Sequence, residues 1–458
     1  MRFKSKNVDM CQGSIIRSMI AYTIPLIFTG ILQLLYAAAD LVVIGQFDGS
    51  NAFAAVGVTN SLYNLFTTFF IAISGGGCIC IAQYYGAKDH KNVHETVHTC
   101  VLVSIICGVF IALIAGVFIK DALMLMDTHE DVIDMSAMYL RIVLSASPFT
   151  LFYNFAAGIL RAAGDTKRPF YILVLTGFVN VVLNLILVAV FHLSVIGVAV
   201  ATTVSNILNA LLTALILIKS DDCIKLYPSR LKIYRDKLIK ILKYGIPSGI
   251  QSCLFSMSNV IIQSAVNSFN SIAVAAGSTA GANIEGFIYT SMNAVTVSTL
   301  NFSGQNFGAR QYKRVDRSII DACFIVVVIG VSLGTIANIF ADPLLSIYEP
   351  HNTYARHVGA LRLAFISGPY FLCGLYEVFA NALRGIGSIW APTITSLLSA
   401  GLFRVVWVLF VFPHFHNLST LYIVYPLTWS ISLFILSIIY LTTRKKIFAK
   451  NDALYTNT

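Results

Sequence analysis

Twelve long apolar stretches make up almost the whole chain and constrain its fold more than any other feature. Each can cross a hydrocarbon layer of about 30 Å, which takes about 20 apolar residues in a helix. Their approximate bounds are 18–45, 52–82, 97–119, 133–160, 170–191, 195–218, 240–265, 273–303, 318–340, 358–383, 391–412 and 418–441. The longest polar stretch, 219–243, links the sixth and seventh of them. The sequence therefore predicts an all-α polytopic membrane protein with twelve transmembrane helices.

The composition excludes a soluble protein of this length. Of 458 residues, 57% are hydrophobic and only 11% are charged, whereas soluble domains carry about 25% charged residues. The nine cysteines lie mostly in apolar stretches and show no zinc-binding spacing, so we expect neither a cofactor nor a disulfide framework.

The net charge of +10 does not indicate a nucleic acid partner, because the basic residues are concentrated on one side of the membrane. When the loops are assigned alternately to the two sides, all but five of the 31 basic residues share a side with both termini. The exceptions are Lys120, Arg141, Arg356, Arg362 and Arg404. Since the side rich in Lys and Arg is cytoplasmic, we predict a plasma-membrane protein with cytoplasmic termini. The N-terminal arm, with Arg2, Lys4 and Lys6, precedes no signal-peptide cleavage pattern and is predicted to be retained.

An internal repeat divides the chain into halves. Residues 83–88 (QYYGAK) resemble residues 305–310 (QNFGAR), which lie 222 residues later, and the motif Tyr-x-Ile-Pro at 22–25 recurs at 244–247 with the same offset. We therefore predict a tandem duplication.

The predicted halves are an N-lobe, 1–222, with helices 1–6, and a C-lobe, 223–458, with helices 7–12 and a cytoplasmic tail. Because six is even, both halves have the same orientation in the membrane. Transporters built from such repeats bind substrate between the halves, around a central cavity.

Polar residues of helices 1, 5 and 6 form the first candidate site. On helix 1 they share one face, as do the pair on helix 5, since they recur at helical spacing. They are Gln33, Tyr36, Asp40, Asn180, Asn184 and Thr202. One carboxylate among neutral oxygens suits Na⁺, a hard cation. Alternatively, desolvation favours a protonated Asp40, or the asparagines only form bonds between helices.

A wet cavity for a bulky, cationic substrate is the second candidate site. Ionisable groups inside a membrane are costly, and their presence suggests function. The candidate lining residues are Gln33, Tyr36, Gln251, Asn259, Asn283, Glu285, Glu377 and Arg404. Glu377 and Arg404 lie on helices 10 and 11, which are predicted neighbours, and either pair with each other or serve the cavity.

Several motifs resemble those of the MATE (multidrug and toxic compound extrusion) family. They are Pro25 followed by Asp40 and Gly45, the repeated Gln-x-x-Gly-Ala-Lys/Arg, and Leu-Arg-x-x-Gly-Asp-Thr-Lys-x-Pro at 160–169. The resemblance spans about residues 15 to 445. It implies a twelve-span secondary antiporter that exports organic cations and other drugs in exchange for Na⁺ or H⁺.

The resemblance also implies roles for individual residues. Asp40 resembles the cation-binding aspartate of helix 1, Asn180 the first polar residue of the helix-5 site, and Thr202 the helix-6 threonine. Asn184 stands where some members have a second aspartate, which favours a single monovalent ion or proton.

The resemblance does not imply a second cation site in the C-lobe, where some family members have one. Phe255 and Cys373 occupy the places where some members have acids in helices 7 and 10. A C-lobe cation site would therefore need Glu285 or Glu377 as a substitute.

We predict a monomeric, cation-coupled efflux antiporter for a small-molecule substrate. The alternative is a flippase for a lipid-linked oligosaccharide or lipid, as in related twelve-span families. It would need several basic residues in the cavity, for which only Arg404, Arg141 and Arg362 qualify. An intramembrane enzyme would need clustered acids or a histidine at the membrane face. Asp221 and Asp222 have no partner motif, so we predict no enzymatic activity.

Overall fold

A computed structural model describes residues 7–48, 50–126 and 130–456, in which the regular elements are helices. Arg2, Lys4 and Lys6 lie outside the described residues. The α-helices are α1 (Ile15–Phe47), α2 (Ser50–Gly86), α3 (His90–Leu125), α4 (Glu130–Ser145), α5 (Ser147–Ala162), α6 (Lys167–Asn184), α7 (Ser194–Ile218), α8 (Arg235–Asn267), α9 (Ile272–Gly308), α10 (Tyr312–Ile339), α11 (Ala341–Ser346), α12 (Thr353–Ile366), α13 (Phe371–Gly385), α14 (Trp390–Ser396), α15 (Arg404–Val406), α16 (Leu418–Tyr422) and α17 (Val424–Thr456).

The long helices account for the twelve predicted spans. In the described part of the chain, nine helical stretches are long and apolar enough to cross a membrane, and the bent pair α4 and α5 makes ten. The remaining two spans are α8 and α9, with 33 and 37 residues. They are long enough, but they are more polar because they carry many of the predicted cavity residues.

Several predicted spans are interrupted in the described part of the chain, and a π-helical segment, Leu185–Val190, also follows α6. The helix predicted over 133–160 bends by 48° between α4 and α5, where Pro148 begins the second helix. A short 3₁₀ segment, Gly368–Tyr370, separates α12 from α13 because Pro369 cannot continue the hydrogen-bond ladder. The eleventh span contains two π-helical segments, Leu397–Phe403 and Trp407–Val411. Such segments shift the face on which later side chains lie.

The described chain falls into two compact units. Unit 1 comprises residues 7–8 and Phe28–Gly249. Its apolar core joins α3, α4 and α5 through residues such as Ile119, Leu140 and Leu151. A second cluster joins the C-terminal end of α1 to α7 through Ile44 and Val198, so it fixes the helices that carry the first candidate site.

Unit 2 comprises Asp9–Ile27 and residues 250–456. Its central helix is α9, whose second half is buried along with its polar side chains. Those polar groups are hydrogen-bonded: Ser298 shares a 2.7 Å bond with Thr23, and Asn301 donates to the Tyr22 hydroxyl over 3.0 Å. Buried polar groups are tolerated when they are paired in this way.

The two unit boundaries lie at equivalent positions of the repeat. They divide α1 after Ile27 and α8 after Gly249, which are again 222 residues apart. In each helix a proline stands two residues before the boundary, at Pro25 and Pro247. This correspondence supports the predicted duplication, while the lobes 1–222 and 223–458 stay a prediction about the repeat.

Candidate cation site

Unit 1 brings the predicted polar residues of α1, α6 and α7 together. Asn184 Nδ2 donates to Asp40 Oδ1 over 2.5 Å, and the Thr202 hydroxyl donates to Asp40 Oδ2 over 3.4 Å. Asn180 Oδ1 lies 3.4 Å from the same Asn184 nitrogen. Each residue therefore has the neighbours that the sequence predicts.

The side-chain oxygen of Asn184 is the unusual atom of this cluster. Asn184 is fully buried, and within the described residues its Oδ1 has no hydrogen-bond partner. A buried carbonyl oxygen without a partner costs about 1–3 kcal/mol. A half-turn of the amide would direct Oδ1 at Asp40. In that orientation it could accept a proton carried by the carboxyl group or coordinate a cation bound to it.

Two tyrosines complete the surroundings of Asp40. Tyr36, one turn before Asp40 on α1, directs its hydroxyl at the Val174 carbonyl oxygen, 3.5 Å away. Tyr139 of α4 lies within electrostatic range of the Asp40 carboxyl group. The sequence does not indicate Tyr139 because it packs against the apolar clusters, and nothing in the local pattern distinguishes it from a packing residue.

Close packing between α1 and α6 fixes the position of Tyr36. The end of its ring lies where a side chain on Gly177 would begin, so any larger residue there must displace the ring. Asp40 therefore depends on α6 in two ways, through the bond to Asn184 and through this contact.

We expect Gly177→Ala to reduce transport, because the added methyl group must displace the Tyr36 ring, which lies one turn from Asp40. Overpacking of this kind costs about 1–3 kcal/mol, which corresponds to a loss of about 5- to 150-fold if it falls on the transport-competent state. The loss of transport is measured as drug efflux from cells that express the variant and the wild type at equal levels. Gly116→Ala is the matched control because a Cβ at Gly116 meets nothing within 4 Å. Equal efflux by the two variants would contradict the prediction.

Two other polar residues of unit 1 do not join the cluster. Gln33 is exposed, two turns before Asp40. Asn209 of α7 instead accepts a 2.7 Å hydrogen bond from Thr176 of α6. That bond joins two helices and has a structural role.

In unit 2, Glu285 is part of a buried ion pair. Arg362 donates from Nε and Nη2 to the two Glu285 carboxylate oxygens, each over 2.9 Å, and from Nη1 to Ser278 over 3.0 Å. Glu285 and Arg362 are only 5% and 7% exposed. Sequence analysis treated Glu285 as a cavity acid, but here its charge is already compensated.

Glu377 of α13 lies beside a small cavity. The cavity is lined by Tyr289, Met292, Asn293, Thr296, Cys373, Gly374 and Glu377. Asn381 donates to Glu377 over 3.4 Å and accepts from Arg384, which also donates to Gln251 over 2.7 Å. A chain of polar contacts therefore connects Glu377 to Gln251 of α8.

Arg404 does not pair with Glu377 in the described structure. It is fully buried, its Nε and Nη2 donate to the Thr428 hydroxyl, and its guanidinium lies 4.5 Å from the Tyr425 ring centre. Their pairing was one of two alternatives and assumed regular helical spacing, whereas a π-helical segment precedes Arg404 directly. The last two cavity candidates, Asn259 and Asn283, are exposed.

One family model, MatE, matches the chain twice, at residues 25–186 and 247–409. The two matches begin 222 residues apart, as the internal repeat predicts. A probable multidrug resistance protein of Bacillus subtilis, YoeA, is 30% identical over 92% of this chain and 93% of its own length. A probable multidrug resistance protein of Thermotoga maritima, NorM, is 26% identical over 84% of this chain and 82% of its own length.

Solved structures show the same fold. A crystal structure of MATE in complex with MaL6 superposes with a TM-score of 0.88, at 21% identity, over 97% of this chain and 99% of that chain. A transporter of the MOP superfamily from Pyrococcus furiosus superposes with a TM-score of 0.87, at 21% identity, over 97% and 98%.

Proposed function

The chain belongs to the MATE family of multidrug efflux transporters, and on that premise we propose that it exports organic, often cationic compounds in exchange for Na⁺ or H⁺. The cluster of Asp40, Asn180, Asn184 and Thr202 is the proposed coupling site. The observation that carries this proposal is the convergence of one carboxylate with three neutral polar groups in unit 1.

The donor set fits a monovalent cation. Asp40 supplies one negative charge, and Asn180, Asn184 and Thr202 supply neutral oxygens, so binding of Na⁺ or H⁺ gives an electrically neutral site. Hard cations with little preference for geometry are held by oxygen ligands of this kind. Neutralising a buried charge lowers the desolvation cost of the site, so the loaded and empty states favour different arrangements of α1.

Coupling then follows from differential binding. A cation drives a conformational change only to the extent that it binds the two states unequally. In the described structure the Asn184 amide donates from Nδ2 to Asp40 Oδ1. A half-turn of the amide would direct the Asn184 carbonyl oxygen at a cation bound by Asp40 or at a proton on Oδ1. We propose this reversal at Asn184, together with the response of α1, as the local event that switches access from one side of the membrane to the other.

The arginines support efflux over the flippase alternative. Arg362 is occupied by Glu285, and Arg404 is fully buried. Of the three candidates for holding phosphates, only Arg141 is exposed. We further propose both termini in the cytoplasm, because the basic residues lie on their side.

The identity of the coupling ion is tested with imposed gradients. We expect proteoliposomes to move a fluorescent organic cation such as ethidium under either an imposed Na⁺ gradient or an imposed pH gradient, with no response in Asp40→Asn vesicles. An ionophore that collapses the driving gradient should stop the flux. Transport that continues without either gradient would contradict cation coupling.

A further inference from the structure

The connection between α7 and α8, residues 219–234, is an ordered surface of unit 1. The backbone N–H of Tyr227 donates to His98 Nε2, and that of Tyr234 donates to the Thr99 hydroxyl, each over 3.2 Å. His98 and Thr99 are fully buried at these contacts. The connection is therefore held against α3 over much of its length.

These contacts place the connection at the boundary between membrane and water. His98 and Thr99 directly precede the apolar stretch of α3 that runs from residue 100 to 119. A segment fixed at the end of a membrane-crossing stretch lies at the depth of the lipid headgroups. Tyrosine is enriched at that depth because its ring is apolar and its hydroxyl is polar.

The outer face of the connection combines apolar and basic side chains. Tyr227, Leu231 and Ile233 are 37%, 36% and 37% exposed. Arg230, Lys232 and Arg235 are exposed beside them. Apolar groups that enter the edge of a hydrocarbon layer, next to cations that stay at its surface, are typical of segments that lie on membranes.

The cations of this face are concentrated and lack acidic partners. Lys225 and Arg230 both approach the Tyr227 ring, at 5.5 and 5.4 Å from its centre. No acidic side chain in the described chain forms an ion pair with Arg230, Lys232 or Arg235.

Two of the nearby acids are engaged elsewhere. Asp222 accepts a 2.7 Å hydrogen bond from the Tyr85 hydroxyl, and Asp236 binds Lys237 over 2.5 Å. The positive charge of the connection is therefore left for a partner outside the chain.

We propose that residues 225–235 form a docking surface for the headgroups of anionic phospholipids in the adjacent leaflet. The lipid phosphate would lie among Arg230, Lys232 and Arg235, whose donors match phosphate oxygens. Leu231 and Ile233 would reach the glycerol and upper acyl region below it. Each basic residue near an anionic membrane surface contributes about 1 kcal/mol, which is about a fivefold change in affinity.

The test titrates phosphatidylglycerol, and separately phosphatidylcholine, into the full-length protein in a neutral detergent and counts bound lipids by native mass spectrometry. We expect the wild type to prefer phosphatidylglycerol. The triple variant Arg230→Gln, Lys232→Gln, Arg235→Gln should lose about fivefold in affinity per residue. The matched control, Lys445→Gln, Lys446→Gln, Lys450→Gln, removes the same charge from exposed positions of α17 and should keep most of the preference.

Three outcomes would overturn the proposal. An equal loss in both triple variants would indicate general electrostatic attraction and no local site. An unchanged preference in the first variant would exclude this surface. Displacement of the lipid by soluble glycerol phosphate at equal concentration would identify a site for free phosphate, because a membrane surface also requires the acyl chains.

Discussion

Replacing Asp40 with Asn is expected to abolish cation-coupled efflux while the protein still inserts and folds. The amide has nearly the same shape and can keep hydrogen bonds to Asn184 and Thr202, but it can carry neither a proton nor a negative charge. The change removes the one charged ligand of the proposed site, and a ligand contact as strong as a charge-assisted hydrogen bond contributes about 1.5–3 kcal/mol, so cation affinity should fall at least about tenfold. The measurement is gradient-driven transport of a fluorescent organic cation in proteoliposomes, with protein amount and melting temperature checked in parallel.

A matched control separates the site from the helix that carries it. Asp48 lies just after α1 and is exposed, so Asp48→Asn makes the same chemical change away from the cluster and should leave transport intact. If Asp40→Asn transports as well as Asp48→Asn does, the coupling site proposed in unit 1 is wrong.

The sequence predicts this cluster well because it depends on regular helices. Asn180 and Asn184 are four residues apart on α6, so they share a face whatever the tertiary structure is. Helical periodicity alone does not predict that α1, α6 and α7 pack together or that Tyr139 lies near Asp40. Neither follows from local spacing, since both depend on how apolar surfaces pack over long distances in the chain.

The polar residues of unit 2 were harder to place. Glu285 and Arg362 are 77 residues apart, and the charge pattern placed Arg362 among the exceptions without indicating a partner. Arg404 follows a π-helical segment, which changes the face that a regular helix would present. The sequence therefore left open a pairing of Arg404 with Glu377 that the described structure does not show, and it indicated no partner for Glu285.

The Glu285–Arg362 pair gives the largest expected effect on stability. Removing one member of a buried ion pair leaves an uncompensated charge and costs about 3–5 kcal/mol. Glu285→Gln should be the more damaging change because the guanidinium of Arg362 cannot lose its proton. Arg362→Met leaves a carboxylate that can take up a proton, so its loss should be smaller at low pH. Thermal unfolding in detergent at two pH values measures both variants.

The double variant Glu285→Gln, Arg362→Met distinguishes charge compensation from simple loss of packing. Replacing both members of a buried ion pair with neutral groups is often tolerated, so the double variant should be more stable than Glu285→Gln alone. Arg356→Met is the control, because Arg356 pairs with a mostly exposed Asp342 over 2.9 Å and such pairs contribute at most about 1 kcal/mol. If the double variant loses as much unfolding free energy as the two single variants together, the two charges are energetically independent. The buried pair would then contribute to the free energy of unfolding through packing alone and not through charge compensation.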